Sequence, residues 1–221
     1  MPPGKIKIDD GAGNYTILTN AGSLGSDKTI TLPNETATLA TTNASNLGGL
    51  VKLASATASS SSELVFDNFV DTSTYVSYKI FIQYLKGSAN NTAINCIFRQ
   101  GGASGSDLTG NYLNAGYESF MDVVTNGFLT GTSTTMSLGI STGVAAKYAK
   151  QYELQMFPAD GTNSTSNLYS TNAGQRYNND YSLARPQYFV IEDQTAVTGI
   201  RFYMSSGNIA SGTIIIYGVK K

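Results

Sequence analysis

Apolar and polar residues alternate every second position through much of residues 50–221, the period of a half-buried β-strand. The pattern is sharpest at residues 75–86. There Tyr78, Ile80, Ile82 and Tyr84 share one face, and Lys79, Phe81, Gln83 and Leu85 the other. Residues 92–100 place Ile94, Cys96 and Phe98 on one face. Further strands are predicted at residues 64–66, 117–125, 134–141, 148–157, 187–192, 199–205 and 212–219. Ile214, Ile215 and Ile216 put apolar side chains on both faces, as suits a strand central in a sandwich or at a subunit interface. Residues 87–91 read as a hairpin-length turn and 101–105 as a hairpin loop. The Ser- and Ala-rich run 54–62 reads as a loop or a strand edge with little to bury. No stretch repeats apolar residues at helical spacing over three turns, and Thr, Asn, Ser and Gly are poor helix formers. The predicted fold is all-β, a jelly-roll-like antiparallel β-sandwich over residues 49–221.

The first 48 residues follow another pattern. KIKIDDGAGNYTILTNAG (5–22) and KTITLPNETATLATTNAS (28–45) echo each other. Each has two short β-type runs about a turn signal, Asp9-Asp10-Gly11 in one and Pro33-Asn34 in the other. The apolar supply is thin, from Ile6, Ile8, Tyr15, Ile17, Leu18, Ile30, Leu32 and Leu39. A segment of that content does not build a core alone. It becomes stable by wrapping three copies about an axis or by docking on another protein. Residues 41–49 are rich in Thr, Asn, Ala, Ser and Gly, which places a boundary near residue 48.

Composition narrows the chemistry. Charged residues are 13% of the chain and the formal net charge is -1. Lys and Arg do not cluster, so no nucleic-acid partner is expected. No apolar run approaches membrane-spanning length, and the opening residues carry no apolar signal-peptide stretch. One cysteine forms no internal disulfide. Histidine is absent, which removes the usual general base, the usual zinc ligand and the nucleophile–histidine triads. The carboxylates show no spacing that selects a facing pair for glycoside hydrolysis. Asp67-Asn68 with Asp71, and Asp9-Asp10 with Asn14, offer oxygens to calcium but lack the spacing of an EF-hand loop, and Asx-turns account for them better. Cys96 reads as a buried, inert thiol. The Gly-rich run 101–105 lacks the Lys-Ser/Thr ending of a phosphate loop. The expectation is a protein that is not an enzyme, with no catalytic residue, no metal ligand and no cofactor.

Surface recognition remains. Ser, Thr, Asn and Gly make up 90 of 221 residues, and there are 14 tyrosines. Tyr112, Tyr117, Tyr169, Tyr177 and Tyr181 are expected outside the strands. Residues 160–186 read as one long polar loop, of a length that is often functional. Its Arg176, Tyr177, Asn178, Asn179, Asp180 and Tyr181, with Tyr169, combine rings that stack on a sugar with groups that read hydroxyls. They are the candidate glycan-binding residues. The competing reading is a loop packed on its own sandwich or on a neighbouring subunit, with tyrosine as half-buried glue.

The stretch TITLPNETATLATT (29–42), with Leu32-Pro33 and Leu39-Ala40-Thr41-Thr42, resembles one that recurs in fibre and tail-fibre-like proteins of tailed bacteriophages. The opening PPGKIKIDDGAGNYTILTNAG is similar to the N-termini of small virion fibres. TGIRFYMSSGNIASGTIIIYGV (198–219) is similar to the C-terminal hairpin of many phage β-sandwich structural proteins. The resemblance implies a homotrimeric fibre of the extracellular virion. Residues 1–48 would attach it to other virion proteins through Lys5, Ile6, Ile8, Tyr15, Ile17 and Leu18, and start the trimer. The sandwich would form a distal head that contacts host-surface polysaccharide. Two alternatives stand beside it: a capsid decoration or head-fibre protein that bridges shell subunits, and a stand-alone carbohydrate-binding module.

Overall fold

The computed structural model describes residues 5–9, 15–19, 49–120, 126–139, 142–162, 164–175, 182–184 and 186–221. The chain divides into two compact units, Met1–Ala44 and Ser45–Lys221. In the first, β1 (Lys5–Asp9) and β2 (Tyr15–Thr19) form an antiparallel pair. The register sets Ile6 opposite Leu18, Lys7 opposite Ile17 and Ile8 opposite Thr16. All six residues named for attachment thus fall on one strand pair. The turn between these strands and the second pair expected over 28–45 lie outside the described residues.

The second unit is a sandwich of two antiparallel sheets. Its strands are β3 (Leu50–Ser61), β4 (Glu63–Phe66), β5 (Tyr75–Gly87), β6 (Ile94–Gln100), β7 (Ser106–Asp107), β8 (Tyr112–Phe120), β9 (Asn126–Ser133) and β10 (Met136–Ser137). They continue with β11 (Lys150–Phe157), β12 (Ser166–Gln175), β13 (Ser182–Ala184), β14 (Gln187–Ile191), β15 (Gly199–Met204) and β16 (Ile209–Lys220). Among the described residues the larger sheet runs β3-β16-β5-β11-β12-β14-β8, with β9 on the far side of β8. β13 and β14 both pair with β12 and β8, so they fill one strand position in two pieces. The position is interrupted just before Gln187, where Pro186 has no N–H to donate. The smaller sheet runs β4-β15-β6, with β7 and β10 sharing the far side of β6. Early strands nest against late ones: β3 beside β16 in one sheet, β4 beside β15 in the other.

The core fills the space between the sheets. Tyr78, Ile80, Ile82, Leu154, Met156, Leu168, Phe189, Ile214 and Ile216 come from the larger sheet, and Leu64, Phe66, Ile94, Cys96, Phe98, Ile200 and Phe202 from the smaller. Burying one such large side chain contributes roughly 1.5–3 kcal/mol. Tyr112 joins the layers. Its hydroxyl donates to the Leu108 carbonyl at 2.8 Å and accepts from the Phe98 N–H at 3.2 Å.

Several sequence expectations change. Of the two readings of the run 54–62, the strand edge holds: β3 is the edge of the larger sheet, and its Ala54, Ala56 and Ala58 pair with the buried side of β16. Residues 87–91 join strands of different sheets and make no hairpin. Tyr84 leaves the inner face, because its φ of 51° turns Leu85 inward in its place. Gly212, at φ 127°, accommodates this irregularity, since a Cβ there would strike the Leu85 backbone. The strand expected at 117–125 begins at Tyr112, and residues 121–125 lie outside the described set. Among the described residues of 134–141 only the two-residue β10 is strand, and 140–141 lie outside the described set. The expected loop 160–186 carries β12 and β13. Tyr112, Tyr117 and Tyr169 are strand residues, and Tyr112 is buried. Serine and asparagine hid these strands: Ser166 and Ser170 occupy fully buried positions of β12 where alternation leads one to expect aliphatic side chains.

Candidate recognition surface

Tyr169 and Tyr188 face each other across β12 and β14. Their neighbours Leu168, Ser170, Gln187 and Phe189 are buried, so the two tyrosines lie on the outer face of the larger sheet. The rings sit 4.7 Å apart at 35°, within the range of a favourable cross-strand aromatic pair. Tyr188 is 54% exposed. Burial and the neighbouring Tyr188 hold the Tyr169 phenol above its ordinary range.

The cross-strand register builds outward from this pair. Gln155 lies opposite Tyr169, and Lys79 opposite Gln155. Glu153 lies between Thr171 and Phe81. Lys79 Nζ donates to Glu153 Oε1 at 2.7 Å. A second ring pair follows: Phe81 and Tyr217 meet edge to face at 5.8 Å and 80°. Beside Phe81, away from the tyrosine row, lies a shallow hollow of about 580 Å³, lined by Phe81, Gln83, Gln151, Glu153 and Thr171 among others. The surface therefore offers ring faces, planar amides and a hydroxyl. Its carboxylate is engaged by the Lys79 ammonium.

The outer face of the smaller sheet is built differently. Arg99 holds Asp67 through Nε at 2.7 Å and Nη2 at 3.1 Å, and Asp107 through Nη1 at 2.9 Å. It also donates to the Gly105 carbonyl. Arg201 reaches Glu63 at 2.6 Å and Asp107, and lies over the Tyr203 ring. Asp67 first and Asp107 next hold the Arg99 guanidinium above its ordinary range. The loop Asp71 is engaged as well: its carboxylate accepts from the Ser73 and Thr74 N–H groups and the Ser73 hydroxyl, which lowers it to about 2. This is the Asx-turn expected at that position. Cys96 is fully buried and desolvation pushes its thiol up, so it carries no thiolate chemistry.

Of the expected glycan-binding residues, Tyr169 lies on the outer face. Arg176, Tyr177, Asn178, Asn179, Asp180 and Tyr181 lie outside the described residues. Tyr188, Phe81 and Tyr217 were not singled out from the sequence. Gln187–Ile191 has apolar residues at both parities after Gln187, so alternation alone did not tell which side of Tyr188 met solvent. Among the described residues no three His, Cys, Asp or Glu side chains gather as a metal site would need, and no helix is long and apolar enough to cross a membrane. No family model, curated protein or solved structure matches the chain.

Proposed function

We propose that the chain is a non-enzymatic, fibre-type virion protein whose sandwich is an adhesive head for host-surface glycan. The observation that carries the adhesive role is the Tyr169–Tyr188 pair, held by the sheet with Tyr188 largely exposed. Rings of this kind are costly to leave in water unless something covers them. Hydroxyl and amide side chains around them supply wet, adaptable hydrogen bonds. The nesting of β3 with β16 and β4 with β15 favours a jelly-roll-like wrap. The fibre assignment rests on the resemblance of residues 29–42 and 198–219. On this reading three copies assemble through residues 1–48, and the β1–β2 pair is the part that meets other virion proteins.

Light scattering on the full chain tests the assembly. The expected mass is about 70 kDa, three times 23.4 kDa. A monomer would overturn the trimeric fibre and favour a decoration protein ordered by its shell.

A further inference from the structure

Resting on the adhesive reading, we infer that the outer face of the larger sheet takes an uncharged oligosaccharide laid across the strands. Tyr169 and Tyr188 stack on one sugar, Phe81 with Tyr217 on another, and Gln155, Glu153 and Thr171 meet the hydroxyls between. Three observations converge on this ligand.

The first is spacing. Phe81 is on β5 and Tyr169 on β12, with only β11 between them. Strands lie about 4.8 Å apart, so the two platforms are roughly 10 Å apart across the sheet. One sugar stacked on either ring pair does not reach the other, whereas a chain of several does. The second is shape. Beside Phe81, the side chains of Gln83, Gln151, Glu153 and Thr171 border a hollow of about 580 Å³, so a ligand that reaches the second platform can descend to the amides of the central strands. The third is charge. Along the outer face from Phe81 to Tyr188, the charged side chains among the described residues are Lys79 and Glu153, and they pair at 2.7 Å. The next cation, Lys52, stands on the edge strand opposite Tyr217. Among the described residues no unpaired cation lies between the two ring pairs, and desolvating an unmatched carboxylate or sulfate there is unfavourable.

Calorimetry on the full chain tests the inference, with neutral gluco- and manno-oligosaccharides as disaccharides and hexasaccharides, and an oligogalacturonate hexamer as the acidic probe. A neutral hexasaccharide is expected to bind at least about tenfold tighter than its disaccharide, because the second platform engages a tethered sugar. Phe81→Ala is expected to abolish that gain and leave disaccharide binding at the tyrosine pair. Phe81→Leu, which keeps the apolar bulk and loses the ring, gives the same readout should the alanine variant fail to fold. Equal affinity for both lengths, no effect of either variant, or tighter binding of the oligogalacturonate overturns the two-platform, neutral-ligand inference and leaves the adhesive reading standing. Absence of binding to every glycan overturns both. A change in solution mass on replacing Phe81, with glycan binding intact, identifies the face as a contact between copies and overturns the inference.

Discussion

The two outer faces of the sandwich are both open sheet surfaces, but they are built differently. On the smaller sheet, the charged side chains of four strands pair with one another: Glu63, Arg201, Asp107, Arg99 and Asp67 form an unbroken ion chain across β4, β15, β6 and β7 and into the loop beyond β4. On the larger sheet, the Lys79–Glu153 ion pair sits among rings and amides that leave their ring faces or polar tips to solvent. Charges paired across strands fix those strands in place. Exposed rings flanked by amides do little for the sheet beneath them and can be covered by something else.

The largest effect that separates the faces is expected at Arg99. Its guanidinium is mostly buried and bonds two carboxylates. Arg99→Ala leaves Asp67 and Asp107 facing each other without their shared cation, and about 2 kcal/mol of stability is expected to be lost. Urea denaturation reads this. Glycan binding by the folded fraction should not change. If it weakens as well, the faces are coupled and the contrast fails.

A smaller effect is expected from the layer between them. Lys150 is 1% exposed at the start of β11, and burial pushes its ammonium from 10.5 down to about 8. Between those values the unfolded chain holds the proton that the folded chain has lost. Stability therefore rises with pH over that window. Burial also raises the phenols of Tyr78 and Tyr112. Above about pH 10 the unfolded chain loses those protons first, and stability falls again. The rise is expected to vanish in Lys150→Met. A profile flat from neutral pH to about pH 10 would show that Lys150 does not carry it.

How much of this was legible in the sequence varied by element. Strands with aliphatic alternation, such as the Ile80–Ile82 and Cys96–Phe98 stretches, announced themselves, because one face of each had to be buried. β12 did not, since its buried Ser166 and Ser170 look like loop residues. β3 was ambiguous, because an edge strand lined by alanines has little apolar signal. The recognition surface was half visible. Tyr169 stood out by residue type, but its partner Tyr188 lies 19 positions away in the chain, and only the register of β12 with β14 brings them together. The ion chain was invisible for the same reason, as its members are gathered from β4, β6, β7, β15 and the loop after β4.

The central claim is that the exposed aromatic face binds and the ion-chained face holds. Replacing Tyr188 by Ala in the full chain tests it most directly, with affinity for neutral oligosaccharide and the urea midpoint measured on the same sample. The expected result is at least about tenfold weaker binding with stability changed by no more than about 1 kcal/mol, the range of one cross-strand pair. Unchanged binding, accompanied by a stability loss of several kcal/mol, would contradict it and make the tyrosine pair part of the packing.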